Sequence, residues 1–243
     1  MPADAPLLAA IAFAGALIFG VTGFGAALVT IPLATHLVPL PTALALFVVV
    51  DLSCALAVGL ENPRNALRAE WLRLGPGILA GTALGVTLLV NLPRQAGTAL
   101  LGAFVVCYAL YSLARHAGAS VIRPAWGWLA GLCGGITSTL FGAGGPPYAI
   151  YLSHRGLTKE QFRATMGFAT MTSISLRVIA FFLTGLLLDR RVWLSELLMV
   201  PAALAGIFVS KKMFLRISRE TLLRLVALLL LASGGSLLVR ALG

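Results

Sequence analysis

Six uninterrupted apolar runs, at about residues 40–60, 74–90, 96–114, 164–188, 192–210 and 222–239, constrain this chain more than any other feature. An α-helix rises about 1.5 Å per residue, so roughly 17–25 apolar residues cross about 30 Å of hydrocarbon. Each run is long enough. The composition agrees: 59% of residues are hydrophobic and 11% charged, against about 45–50% and about 25% in soluble domains, and the mean hydropathy is +0.98. The expected fold class is an all-α polytopic integral membrane protein. Eight segments with short loops occupy all 243 residues, which leaves no room for a soluble catalytic domain. The opening MPADAP has no cationic region and no cleavage site follows it, so no removed signal peptide is expected.

Two further stretches, 7–40 and 124–153, are too long for one ordinary crossing and are broken by glycine and proline. From Gly20 to Pro32 the chain reads GVTGFGAALVTIP, and from Ser138 to Leu152 STLFGAGGPPYAIYL. Backbone that is not helical is tolerated at membrane depth only where it is buried in protein or lines a polar cavity. Breaks at TGFG and FGAGGPP therefore put helix ends and free N–H groups inside the membrane. The half-helix after each break points the positive end of its dipole at the gap, which suits an anion. Pro146 and Pro147 fit the first turn of such a helix. Close packing through small residues competes with this reading and is preferred for isolated glycines such as Gly81 and Gly85. For the paired clusters the binding reading leads. The candidate substrate-binding residues are Thr22, Gly23, Gly25, Thr137, Ser138, Thr139, Gly142, Gly144, Gly145 and Pro146.

The two halves resemble each other. A shift of 119 positions lays Gly15, Gly23 and Gly25 over Gly134, Gly142 and Gly144, and PGILAG at Pro76–Gly81 matches PAALAG at Pro201–Gly206. Residues 1–120 and 121–243 thus read as two transmembrane repeats of one membrane domain, each a glycine-broken segment, re-entrant or discontinuous, followed by three helices. If each broken segment crosses fully, the loop charges give no orientation. If each is a re-entrant hairpin, thirteen basic residues gather on one side, from Arg64 to Arg224, against Arg94, Arg190, Arg191 and Arg240 on the other. Basic loops mark the cytoplasmic side, so both termini are expected on the outer face of the cell membrane. Three crossings per half also make the repeats inverted, a common transporter plan. The net charge of +10 follows from these loops, and no nucleic-acid partner is expected.

At the two glycine clusters the sequence resembles the TauE/SafE family of membrane permeases, which is associated with export of sulfite and related organosulfur anions. The family's two copies of a Gly-rich segment followed by proline read here as GFGAALVTIP and GAGGPPYAIYL. The resemblance covers nearly the whole chain and implies a permease for a small anion such as sulfite or sulfoacetate. Ala26 and Ala27 replace later glycines of the first copy, and Pro146–Pro147 come early in the second with no proline near Tyr151.

Asp51 and Arg177 stand out inside expected crossings, where a charge needs a partner or water. Arg177 could clamp an oxyanion with its planar fork, and Asp51 could carry a coupling proton; a structural ion pair is the plainer alternative. Ser53, Thr170, Thr172, Ser173 and Ser175 place hydroxyls on the same helices. His36, His116 and His154 have no metal-ligand spacing, and Cys54, Cys107 and Cys133 have no CxxC pattern, so neither metal nor cofactor is expected. Trp71, Trp126, Trp128 and Trp193 read as interfacial anchors. No GxxxxGK[ST] motif supplies ATP drive. A secondary transporter of small anions is the leading reading, with a channel or accessory subunit next and a membrane-embedded enzyme last. The partners expected are the anion and the bilayer, with a homodimer left open.

Overall fold

The computed structural model describes residues 5–60, 63–114, 122–213 and 219–242. Its ten α-helices run α1 (Ala5–Thr22), α2 (Ala26–Ala34), α3 (Leu40–Gly59), α4 (Arg68–Asn91), α5 (Arg94–Ala114), α6 (Trp126–Phe141), α7 (Gly145–Ser153), α8 (Lys159–Leu183), α9 (Arg190–Met213) and α10 (Arg219–Leu242). Among the described residues five spans are long and apolar enough to cross a membrane: Leu40–Gly59, Arg68–Asn91, Gln95–Ala114, Lys159–Leu183 and Arg190–Ser210. They coincide with five of the six expected runs. The sixth run lies in α10, where the side chains of 222–226 are outside the described residues.

Boundaries moved where polar chemistry takes over from hydropathy. Helix α8 begins at Lys159, before its apolar run, because Thr158 accepts a hydrogen bond from the Gln161 amide while the Gln161 side chain accepts one from the Thr158 amide, a reciprocal N-terminal cap. It ends at Leu183 rather than Leu188, since Gly185 takes a left-handed φ of 80°.

Each broken stretch folds into a hairpin of one long and one short helix. The first break occupies residues 23–25, with φ of 80° at Gly23 and 92° at Gly25. Beyond it α2 returns along α1, so that a methyl on Gly15 would collide with Thr30. The second break occupies residues 142–144, and α7 returns along α6, with Tyr148 lying on Gly134. The ends of this second hairpin are tied: the Ile122 amide donates to the His154 carbonyl at 3.2 Å. Each stretch therefore doubles back on itself at its break.

Glycine then lets the hairpins pack into the other half of the chain. Gly77, Gly81 and Gly85 of α4 lie along the backbone of α6 beside Gly131, Gly135 and Thr139, in parallel. Helix α1 lies parallel to α9 in the same manner, with Gly206 against Phe13 and Ala16, and Gly20 against Ser210. Helices α3 and α8 cross at Gly59 and Gly167, and α5 runs antiparallel to α10 through Gly102 and Gly234, where the Gln95 side chain donates to the Ala241 carbonyl. Exchanging α1–α5 for α6–α10 maps these main packing pairs onto one another.

The Gly81 contact is backbone on backbone, so it has no side chain to move aside. Gly81→Leu is expected to cost about 3 kcal/mol or more from overpacking, lowering the melting midpoint in detergent by roughly 6–12 °C. Gly75→Leu, whose Cβ would meet nothing within 4 Å, should melt near wild type.

Candidate functional site

The tips of the two hairpins meet. Gly142 and Gly145, at the second break, lie against Ala27 and Phe24 of the first. Both tips line a narrow cavity together with residues of α3 and α8: Gly25, Ala26 and Ala27 come from the first hairpin, Ser138, Gly142, Gly144, Gly145 and Tyr148 from the second, Asp51 from α3, and Thr170, Ser173 and Ile174 from α8. Gly25 and Gly144 are the N-caps of α2 and α7. Two short helices thus aim their positive ends at one space, which is the arrangement that attracts an anion.

The two ends are unequal donors. First-turn amides have no partner within their own helix, and α2 offers them at Ala26, Ala27 and Leu28. Helix α7 starts Gly-Pro-Pro, and proline has no N–H, so Pro146 and Pro147 leave Gly145 as the one donor among its first three residues. Side-chain donors supplement the amides. The Thr170 hydroxyl is buried and has no hydrogen-bond partner, while the Tyr148 hydroxyl donates to Ser173 at 3.0 Å.

Behind the cavity lies Arg177, which is completely buried. Its Nη2 donates to Asp51 Oδ2 at 2.6 Å and its Nη1 to the Ser138 carbonyl at 2.8 Å, while Nε has no partner. The Ser138 carbonyl is near the C-terminal end of α6 and already accepts from the Gly142 amide. Arg177 thus satisfies a helix C-terminus, the negative end of the dipole, and pairs with the Asp51 carboxylate across α3 and α8. Asp51 contributes to the cavity wall; Arg177 holds that wall from behind.

The remaining sequence candidates fall in different places. Gly25, Ser138, Gly142, Gly144 and Gly145 line the cavity, and Gly23 and Pro146 are buried beside it. Thr139 bonds to the Gly135 carbonyl and faces α4 at Gly85, and Thr137 bonds to the Cys133 and Gly134 carbonyls. The Thr22 side chain lies outside the described residues. Two acidic residues escaped the sequence reading. Glu70, at the start of α4, accepts from Arg73 Nη1 at 2.5 Å, from Arg155 Nη2 at 3.0 Å and from the Tyr151 hydroxyl at 2.5 Å, locking the end of α7 to α4. That hydrogen bonding raises the Arg155 pKa above its ordinary value. Glu196, on α9, is buried. The signal for both was simple: each carboxylate sits within or at the edge of a long apolar run.

Among the described residues no cluster of His, Cys, Asp or Glu could hold a metal ion. Comparison with known proteins decides the family. The "Sulfite exporter TauE/SafE" family matches residues 7–237, nearly the whole chain. The chain belongs to the sulfite exporter TauE/SafE family. A relative in Comamonas testosteroni, described as "Probable inner membrane transporter protein TsaS", is 25% identical over 182 residues, covering 73% of this chain and 76% of its own length. No solved structure matches. Membership of TauE/SafE makes this a multi-pass membrane transporter and not an enzyme.

Proposed function

We propose that the protein is a secondary transporter that carries small anions, sulfite or related organosulfur compounds such as sulfoacetate, across the cytoplasmic membrane. The substrate sits at the meeting of the two hairpin tips, held by the first-turn amides of α2, the Gly144–Gly145 backbone, Ser138 and Thr170. The observation that carries the reading is the convergence of the α2 and α7 N-termini on one cavity. The family supports the substrate class, and the TsaS relative supports transport across an inner membrane.

In this reading residues 1–120 and 121–243 are inverted repeats, supported by the interchange of packing pairs between α1–α5 and α6–α10. One hairpin opens to each face, and alternate access comes from moving one half against the other. Both termini lie on the outer face, where the basic loops are few; an inactive alkaline phosphatase fusion at Gly243 would count against that orientation.

The direct test is counterflow of labelled sulfite in proteoliposomes, with unlabelled sulfite, sulfoacetate, sulfate and carboxylates as competitors. Saturable exchange inhibited by sulfoacetate supports the reading; conductance rising linearly with concentration supports a channel instead. Thr170→Val removes a hydroxyl without changing side-chain size. A hydrogen bond to a charged group contributes about 1.5–3 kcal/mol, so the half-saturating sulfite concentration should rise at least about tenfold. An unchanged value removes Thr170 from the site.

A further inference from the structure

Glu196 is the acidic residue that the anion cavity leaves unexplained. It is 6% exposed, and neither carboxylate oxygen has a hydrogen-bond partner. Glu70, the other acidic residue missed in sequence, is fully engaged by Arg73, Arg155 and Tyr151. A buried carboxylate without donors is costly to keep charged, in the membrane above all; a bound proton removes that cost.

The surroundings single out what Glu196 can sense. Helix α9 packs against α1 and α3. Helix α1 carries no ionisable side chain, and α3 carries only Asp51 and the buried thiol of Cys54. On α9 itself the nearby Ser195 hydroxyl is turned to the Arg191 carbonyl, and Arg190 and Arg191 stand at the helix start. Among the described residues of α1 and α3, the charged side chain whose field reaches Glu196 is Asp51, which forms one wall of the anion cavity. Arg177 is committed to Asp51 and to the Ser138 carbonyl. One guanidinium thus stands against two carboxylates, and the group is neutral only when one carboxylate holds a proton. Asp51 has the strong donor, so the proton belongs on Glu196.

Depth points the same way. The parallel contacts of Gly206 with Phe13 and of Ser210 with Gly20 set the register of α9 on α1, and extending it places Glu196 level with the first turns of α1. Counted at about 1.5 Å per residue, Glu196 lies about 9 Å from the start of α9, toward the end of the bundle where α1 begins.

We propose that Glu196 is the proton-carrying group of the transporter, coupled to the anion in the cavity through Asp51. This rests on the anion-transport reading above. A proton from the aqueous phase converts the Glu196 carboxylate to its acid, and the same proton leaves to water on release. An anion beside Asp51 adds negative charge to the group and favours protonated Glu196; reciprocally, protonation favours the anion. Glu196 touches no substrate and acts through Asp51.

The test uses the whole protein in proteoliposomes with labelled sulfite, subtracting entry into protein-free liposomes. Wild type should show counterflow at equal pH and, with one proton per anion, about tenfold accumulation for each unit of pH gradient. Glu196→Gln should keep counterflow within about threefold and lose the gradient-driven accumulation. Glu196→Asp, which keeps a titratable group, should restore part of it. The proposal is overturned by accumulation in Glu196→Gln equal to wild type, or by wild-type counterflow that ignores the pH gradient. Loss of counterflow along with accumulation in both variants also overturns it, since Glu196 would then be structural. No counterflow in wild type overturns the anion-transport reading itself and this proposal with it.

Discussion

Arg177→Met should melt far below wild type. Removing the guanidinium leaves Asp51 as a buried carboxylate whose short 2.6 Å partner is gone, and breaking such a pair from one side costs about 3–5 kcal/mol. For a chain of this size that corresponds to a fall of roughly 6–20 °C in the melting midpoint. The double variant Asp51→Asn/Arg177→Met removes the stranded charge and should recover most of the loss, because the two residues act as one unit. Sulfite exchange should stay low in both, since the cavity wall has lost its charged support. If the single variant melts within about 2 °C of wild type, the pair is not holding α3 to α8.

The second large effect is expected at the hairpin tip. Gly142 has φ of 72°, a region where a side chain costs roughly 1–2 kcal/mol. A Cβ there would lie 2.9 Å from the Ala27 Cβ and 3.0 Å from Arg177 Nη1, so Gly142→Ala also pushes the two tips apart. Exchange should drop to below about a tenth of wild type. Gly156→Ala is the matched control: its φ is 66°, with nothing within 4 Å of the added carbon. It bears the same backbone strain away from the cavity and should exchange near the wild-type rate. Equal losses in the two variants would mean that strain alone, and not contact between the tips, explains the effect.

Much of this architecture was written in local sequence. Glycine and proline clusters marked the breaks at 23–25 and 142–144, because such residues disrupt helices wherever they occur. Hydropathy marked the long helices, though not their polar first turns at Arg68 and Lys159. Partner choice was not legible. Gly81 and Gly85 read as packing glycines, but nothing local says that α6 lies beside them. Asp51 and Arg177 pair across 126 positions, and they are seven positions out of register when the halves are aligned, so internal symmetry could not predict their contact. Thr137 and Thr139 looked equivalent to Ser138 in the sequence; helical rotation turns them elsewhere, and only coordinates reveal which of three successive positions faces inward.

Phe24 stands between Gly23 and Gly25, both in left-handed conformations, and its ring rests on Gly145 of the opposite tip. Glycine at both positions lets the chain reverse there without a Cβ in the way. The ring between them is buried and closes the seam between the tips. A Cβ on Gly145 would lie 2.8 Å from this ring, so Gly145→Ala must displace one buried phenyl group before the two hairpins can meet.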